Sequence, residues 1–336
     1  MARESEQCLG ASRAFLNVLE QVSQVAPLDR PVLIVGERGA GKELIAERLH
    51  FLSERWDAPY LKVNCAALSE SLLESELFGH EAGAFTGATR THKGRFERAD
   101  QGTLFLDELA STSGAVQEKV LRIIEYGEFE RLGGDATRKV NVRLIAAANE
   151  DLPDLARRRQ FRADLLDRLA FDVITLPPLR EREDDVLLLA EHFALNMSVE
   201  LGRELFPGFT QEAVQSLLGY QWPGNVRELK NLVERAVYRA HPKRPISKLV
   251  FDPFDSPYRP SGEVSSTDDA RLSFPMDLRI HMEKEERQII EKALEKARFN
   301  QRQAAELLGL SYDQLRGLLK KYQLSRRRKG DEHGAA

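Results

Sequence analysis

The chain has 336 residues and a formal net charge of −4, with 42% apolar and 30% charged side chains. That length predicts about two domains with smaller pieces, and the balance suits large cores buried from water. No apolar run approaches the ~18 residues of a spanning helix, and Met1–Arg13 lacks the basic start and apolar stretch of a secretory signal, so a cytoplasmic protein without membrane insertion is expected.

In chain order, short apolar runs alternate with helical patterns, as in a parallel sheet with crossover helices. Strands are expected at Val32–Val35, Tyr60–Val63, Leu104–Leu106, Val142–Ala147 and Phe171–Leu176. After Pro177-Pro178 the pattern turns helical, with helices expected at Asp184–Glu200, Gln211–Leu218 and Asn225–Ala240. Residues 253–276 are rich in Pro, Ser, Asp and Gly and read as a flexible linker. A final helical segment spans 277–325, and the basic tail 326–336 reads as disordered, its Arg326–Lys329 run either solvated charge or a DNA-phosphate contact. Charge is unevenly spread: residues 279–329 hold 14 Lys or Arg against 7 Asp or Glu, while residues 1–278 hold 35 against 44, which points to a nucleic-acid surface at the C-terminal end. Cys8 and Cys65 show no metal-ligand spacing and cannot form a disulfide framework; Cys65 reads as a small core hydrophobe.

The stretch Gly36-Glu37-Arg38-Gly39-Ala40-Gly41-Lys42-Glu43 follows an apolar strand and opens a helix at Leu44–Phe51. Glycines there let backbone N–H groups turn around phosphate oxygens, the helix N-terminus adds a favourable dipole, and Lys42 can reach terminal phosphates. Glu43 stands where Ser or Thr usually meets Mg²⁺, so metal ligation must rest on water and other carboxylates. Gly102–Glu108 supplies the complement, an apolar strand ending in two carboxylates. Asp107 would hold the Mg²⁺ shell and Glu108 would polarise the water that attacks ATP. An isolated glycine turn or solvated strand end would explain either piece alone; both pieces in one chain favour ATP hydrolysis.

Gly83-Ala84-Phe85-Thr86-Gly87-Ala88 places one aromatic among small residues with no charge, which suits an exposed contact made and released cyclically, or else a glycine turn tucked into the core. With the motifs above, it resembles the signature loop of the AAA+ activators of sigma-54 RNA polymerase, and the resemblance spans nearly the whole chain. The family implies an α/β AAA+ P-loop ATPase subdomain (1–176), a small helical lid (177–252), and a Fis-type helix-turn-helix domain. It also implies roles for single residues. Asn64 would restrain Glu108, and Asn149 would sense the γ-phosphate, preceded by Ala148 where Thr is common. Arg162 and Arg168 would reach a neighbouring subunit's nucleotide, the competing reading being surface salt bridges to Asp164 and Asp167. Arg227, in Trp222–Leu229, would contact nucleotide in cis. Arg131 is expected in a second surface hairpin that moves with the Phe85 loop.

At the C-terminal end, Glu283–Ala297 reads as an amphipathic helix, Asn300 can cap a helix at Gln301–Leu308, and Ser311 can cap a third at Tyr312–Tyr322. Tyr312, Asp313, Gln314 and Arg316 are candidates for base edges, and Arg302, Lys320 and Lys321 for phosphates. The resemblance implies a homo-oligomeric ring, expected as a hexamer, acting on sigma-54 RNA polymerase holoenzyme from double-stranded upstream DNA. The phosphate loop begins at Gly36, leaving no room for the receiver domain most relatives carry, so control is expected in trans. Within the family the chain most resembles the phage-shock activators, which implies restraint by phage shock protein A. Trp56, set among polar residues, is the candidate docking point for that regulator, or else a partly buried core aromatic. An ATP-modulated DNA-binding repressor and a DNA-processing motor are the alternatives; neither would need Gly83–Ala88.

Overall fold

In the computed structural model, which describes residues 8–256, residue 259, scattered positions between 282 and 297, and residues 300–322, the first α/β part runs α1 (Arg13–Val25), β1 (Val32–Val35), α2 (Lys42–Phe51), β2 (Tyr60–Asn64), α3 (Glu70–Phe78), β3 (Gly79–His80), β4 (His92–Lys93), α4 (Arg95–Arg98), β5 (Thr103–Asp107), α5 (Gly114–Tyr126), β6 (Glu128–Glu130), β7 (Thr137–Lys139), β8 (Arg143–Ala148), α6 (Leu152–Arg157), α7 (Ala163–Leu169) and β9 (Asp172–Thr175). The main sheet has the order β2-β5-β8-β1-β9, and every pairing in it is parallel. Both faces are covered, so its central strands carry apolar residues continuously rather than alternately; all six residues of β8 are buried. Val22, Ile34, Ile45, Leu49, Ile145 and Ile174 fill one face, while Leu33, Leu104, Leu106, Val120, Leu144 and Leu165 fill the other. The strands depart from expectation only at their ends, where polar residues such as Asn64 and Asp107 join the ladder. The antiparallel pairs β3–β4 and β6–β7 were not expected, since two or three residues are too few to show a period.

Three longer helices follow, α8 (Glu183–Glu200), α9 (Gln211–Gly219) and α10 (Asn225–Arg239), around a core of Leu189, Leu217, Trp222, Leu229 and Val233. This helical part is fastened to the start of the chain by Asp185, which is fully buried. Its carboxylate accepts the Ser12 amide (2.8 Å), the Ser12 hydroxyl (2.8 Å), the Ala11 amide (2.5 Å) and Arg182 Nε (2.7 Å). Arg182 also lies 3.9 Å from the centre of the Phe15 ring. A buried ion pair is tolerated when its remaining hydrogen-bonding capacity is met, as it is here.

The chain forms two units, Met1–Asp255 and Ser256–Ala336. In the second, the Asn300 side chain caps α11 (Gln301–Leu307), Gly309 turns with φ +64°, and Ser311 with Gln314 forms a reciprocal capping box at α12 (Tyr312–Lys321). Ala304, Ala305, Leu315 and Leu319 join Ile290 and Leu294 in its core. The small residues Ala304 and Ala305 allow the close helix crossing of a helix-turn-helix. Linker residues 260–276, much of 277–299 and the basic tail 326–336 lie outside the described residues.

Candidate functional site

Strand β1 delivers the chain into the loop Gly36–Gly41 at the C-terminal edge of the sheet, where the Gly36 amide donates to the Ala148 carbonyl at the tip of β8 (3.2 Å). Gly39 and Gly41 have φ of +79° and +103°, a region that glycine enters without steric cost. A side chain at Gly41 would meet nothing within 4 Å, so the loop curls around open space at the start of α2. Lys42 Nζ folds back to donate to the Gly36 (2.8 Å) and Glu37 (3.2 Å) carbonyls. Burial lowers its pKa, opposed by the nearby charges of Asp107 and Glu108. This cradle of backbone amides, open space and a cation fits a phosphate chain. Glu43 does not face that space as a metal ligand: it pairs with Lys62 (2.7 Å), which also meets Glu47.

Asp107 ends β5 beside Asn64 of β2. Burial raises the Asp107 pKa, Lys42 works against that rise, and one carboxylate oxygen accepts the Glu108 amide (3.0 Å). Glu108 itself is held at φ +54°, ψ +43°, a left-handed conformation that costs a non-glycine residue about 1 kcal/mol or more and marks a side chain aimed by its surroundings. Asn64, expected to restrain Glu108, is engaged with its own backbone in this structure. Its amide oxygen caps the turn Cys65–Ala67, accepting from Ala66 (2.9 Å) and Ala67 (3.1 Å), and no hydrogen bond joins it to Glu108 among the described residues. Cys65, in that turn, is 2% exposed and its thiol is pushed up to about 12 by burial, as a core residue would be. Asn149 is exposed just past the tip of β8, one residue beyond the Ala148 that pairs with Val35.

The helical part closes over this loop through residues that sequence reasoning passed over. Arg180 grips Glu37 with two hydrogen bonds (2.6 and 3.0 Å), and Asn225 Nδ2 adds a third to Glu37 (3.0 Å) while also reaching the Arg38 carbonyl (3.2 Å). Arg180, then Asn225, hold the Glu37 carboxyl below the usual carboxylate range. Asn225 is fully buried at φ +50°, and its oxygen accepts the Leu179 amide (2.7 Å). The Pro-Gly-Asn turn before α10 was the available sequence signal for that conformation. Val226 N–H donates to the Gly39 carbonyl (3.1 Å), and a side chain at Gly39 would come within 2.4 Å of the Gly224 oxygen and 3.2 Å of Arg227 Cβ. Arg227 therefore abuts the phosphate loop.

Gly83–Ala88 forms the tip between β3 and β4. It is closed by its own backbone, Gly83 N–H to the Ala88 carbonyl at 2.8 Å, with Gly83 at φ +86° and Gly87 at φ +103°. Phe85 is 46% exposed and rests edge-on against His80, ring centres 4.9 Å apart; Thr86 is exposed, and Ala88 is tucked in. Arg131 does lie between β6 and β7, but its side chain is not on the surface. It is 7% exposed and bridges Glu97 (2.6 and 2.7 Å) and Glu81 (2.8 Å), tying the two hairpins together at their base. Gly133 meets Ala84 so closely that a Cβ there would lie 2.7 Å away.

The family model described as the Sigma-54 interaction domain matches residues 8–175, the AAA+ ATPase lid domain matches 180–251, and the Fis family of bacterial regulatory proteins matches 281–322. The Psp operon transcriptional activator of Escherichia coli (strain K12) is 57% identical over 326 residues, covering 96% of this chain and all of that protein. The chain belongs to the sigma-54-dependent activator family. The Nif-specific regulatory protein of Enterobacter agglomerans is 46% identical over 92% of the chain, which spans 58% of that longer regulator. Among solved structures, NtrX from Brucella abortus in complex with ATP superposes with a TM-score of 0.68 at 29% identity, covering 94% of this chain and 69% of that one.

The arginines of this activator expected to act on a neighbour are tethered on its own surface. Arg162 forks onto Asp164 (2.7 and 3.0 Å) and touches Glu118 (3.3 Å); Arg168 pairs with Glu125 (2.9 Å) rather than with Asp167. In the Fis-type unit Arg302, Tyr312, Asp313, Arg316 and Lys320 are exposed. Two candidates there are partly engaged: Gln314 Oε1 accepts the Ser311 amide (2.9 Å), and Lys321 turns to Glu283 (3.7 Å), Glu286 (3.6 Å) and the Tyr322 hydroxyl (2.7 Å). Trp56 is 62% exposed in the turns after α2, not a core aromatic. No helix among the described residues is long and apolar enough to cross a membrane.

Proposed function

We propose that the chain is a cytoplasmic, nucleoid-associated ATPase that remodels the closed sigma-54 RNA polymerase promoter complex to the open state, working as a hexameric ring held at upstream double-stranded DNA. The supporting observation is the convergence at one sheet edge of an open glycine cradle with Lys42, the paired tip carboxylates Asp107 and Glu108, and Arg227 brought in by the lid. Gly36–Glu43 and Lys42 hold the phosphates, and Arg227 contacts them in cis. Glu108 orients water against the γ-phosphorus, so that the bond to the β-phosphate oxygen breaks and ADP leaves with phosphate. Asn149 senses the γ-phosphate, and Asn64, after releasing its turn, pairs with Glu108.

Asp107 is the carboxylate that fits Mg²⁺, an ion that would neutralise charge on the phosphates. Mg²⁺ usually keeps several waters and takes one or two protein carboxylates together with substrate phosphates, a role open to Asp107. Arg162 and Arg168 exchange their surface carboxylates for the neighbouring subunit's nucleotide, which makes turnover depend on assembly. Gly83–Ala88 carries the stroke to sigma-54 through Phe85 and Thr86.

The working division is ATPase 1–176, lid 177–252, linker 253–276, DNA-binding domain 277–325 and basic tail 326–336. The Psp operon relative supports control of phage-shock genes, with phage shock protein A restraining the ring at Trp56. Open-complex formation by sigma-54 polymerase, with ATP or a non-hydrolysable analogue, tests the main claim. Wild type should open the promoter only with ATP, and Thr86→Ala should hydrolyse ATP without opening it. Opening with the analogue, or none in wild type despite turnover, overturns remodelling.

A further inference from the structure

Arg235 and Arg239 lie one turn apart near the C-terminal end of α10, and the chain beyond it folds back beside them, Ile246 N–H donating to the Gly208 carbonyl (2.9 Å). Between helix and returning chain is a cavity of about 330 Å³. Leu232, Ala236 and Ile246 give it apolar lining, while Arg235, Arg239, Arg244, Lys248 and His241 line the rest, and no carboxylate does. These arginines and Lys248 take part in no salt bridge among the described residues. Arg235 Nη2 reaches the Val250 carbonyl at 3.4 Å, but its Nε is shut off from solvent with no acceptor. A buried N–H of a cation left without a partner is costly. Favourable interaction with a helix C-terminus accounts for Arg239; it does not account for Arg244 and Lys248, which arrive from the returning chain.

We propose that this cavity binds a small phosphate-bearing metabolite, its phosphate held by Arg235, Arg239 and Lys248 and its apolar part against Leu232 and Ile246. Planar guanidinium groups match phosphate oxygens bidentately, and the volume suits a compact ligand rather than a polymer. The same helix carries Arg227 near its other end, about 12 Å from Arg235 and about 18 Å from Arg239 at 1.5 Å per residue, so the ligand would brace the lid from the side remote from the phosphate loop.

Calorimetry on the full chain, with the phosphate loop already filled by magnesium β,γ-imido-ATP, tests the site using inorganic pyrophosphate and adenosine monophosphate as probes. The expected result is one saturable site per chain with Kd below about 1 mM, weakened about tenfold or more in Arg235→Gln/Arg239→Gln. Lys248→Gln, a change at an exposed side chain, should weaken it severalfold. Tighter binding of the monophosphate would assign the apolar lining to the base; equal or weaker binding would assign the site to phosphate alone. Binding that is absent in wild type, or unchanged in both the double-arginine variant and Lys248→Gln, overturns the proposal. So does a loss of duplex DNA binding in Lys248→Gln without a pyrophosphate site in wild type, which would make the patch a DNA-backbone contact.

Discussion

Two glycine-rich loops sit on the same α/β unit and use glycine for opposite ends. In Gly36–Gly41 the residue at Gly39 must be small because the lid's backbone presses on it, 2.4 Å from any added Cβ. In Gly83–Ala88 the glycines at 83 and 87 have positive φ with nothing within 4 Å of an added Cβ. One loop is pinned from outside by hydrogen bonds from Asn225, Val226 and Arg180; the other is closed by its own hydrogen bonds and an aromatic edge contact, with Gly133 packed against Ala84 as its outside neighbour. A glycine motif in sequence therefore does not say whether the loop is clamped or free. The partners across the chain decide it.

The contrast breaks most visibly at Gly39. Gly39→Ala combines positive φ with a backbone clash, so we expect a loss of about 2–3 kcal/mol and nucleotide affinity down by about tenfold or more as the lid is pushed off; thermal melting with and without nucleotide measures both. Gly87→Ala meets no neighbour, so only strain remains, about 1–2 kcal/mol. Its melting temperature should fall less than that of Gly39→Ala, with nucleotide affinity unchanged, and equal losses in both would erase the distinction.

Phe85→Ala gives up a half-exposed edge contact worth about 1 kcal/mol or less. Turnover should stay within about twofold while sigma-54 capture in a pull-down disappears, given that exposed aromatics dominate contacts of this kind. The smallest effect belongs to the latch. Glu37 titrates below its ordinary value in the folded protein, so its contribution is present above the usual carboxylate range and is lost as pH falls through the depressed folded value. Glu37→Gln should weaken nucleotide binding slightly at neutral pH, and the wild-type and variant curves should converge in acid.

Much of this was legible from the residues. Buried parallel strands such as Leu144–Ala148 announce themselves as unbroken apolar runs, and the caps Asn300 and Ser311 stand where the helices α11 and α12 begin. The phosphate loop, the tip carboxylates and the Phe85 loop were legible as local motifs. What escaped was polar pairing over long separations: Glu37 with Arg180 and Asn225, Asp185 with Ser12, and Arg131 with Glu97. A single arginine in a charged surface sequence carries no mark of which carboxylate it will find, because the choice is made by the fold. Asn64 and Gln314 show the converse, since their side chains serve the nearest backbone amides before any distant group.

The buried carboxylate of Asp185 joins Ala11 and Ser12 to the first helix of the lid. Tension applied upstream of residue 11 is thus delivered to the lid as directly as to the sheet. In engineering terms, residues 11–12 are a drawstring: a protein fused ahead of them has a mechanical handle on the part of the molecule that positions Arg227, and a protease that cuts there would slacken it without touching any residue of the nucleotide cradle.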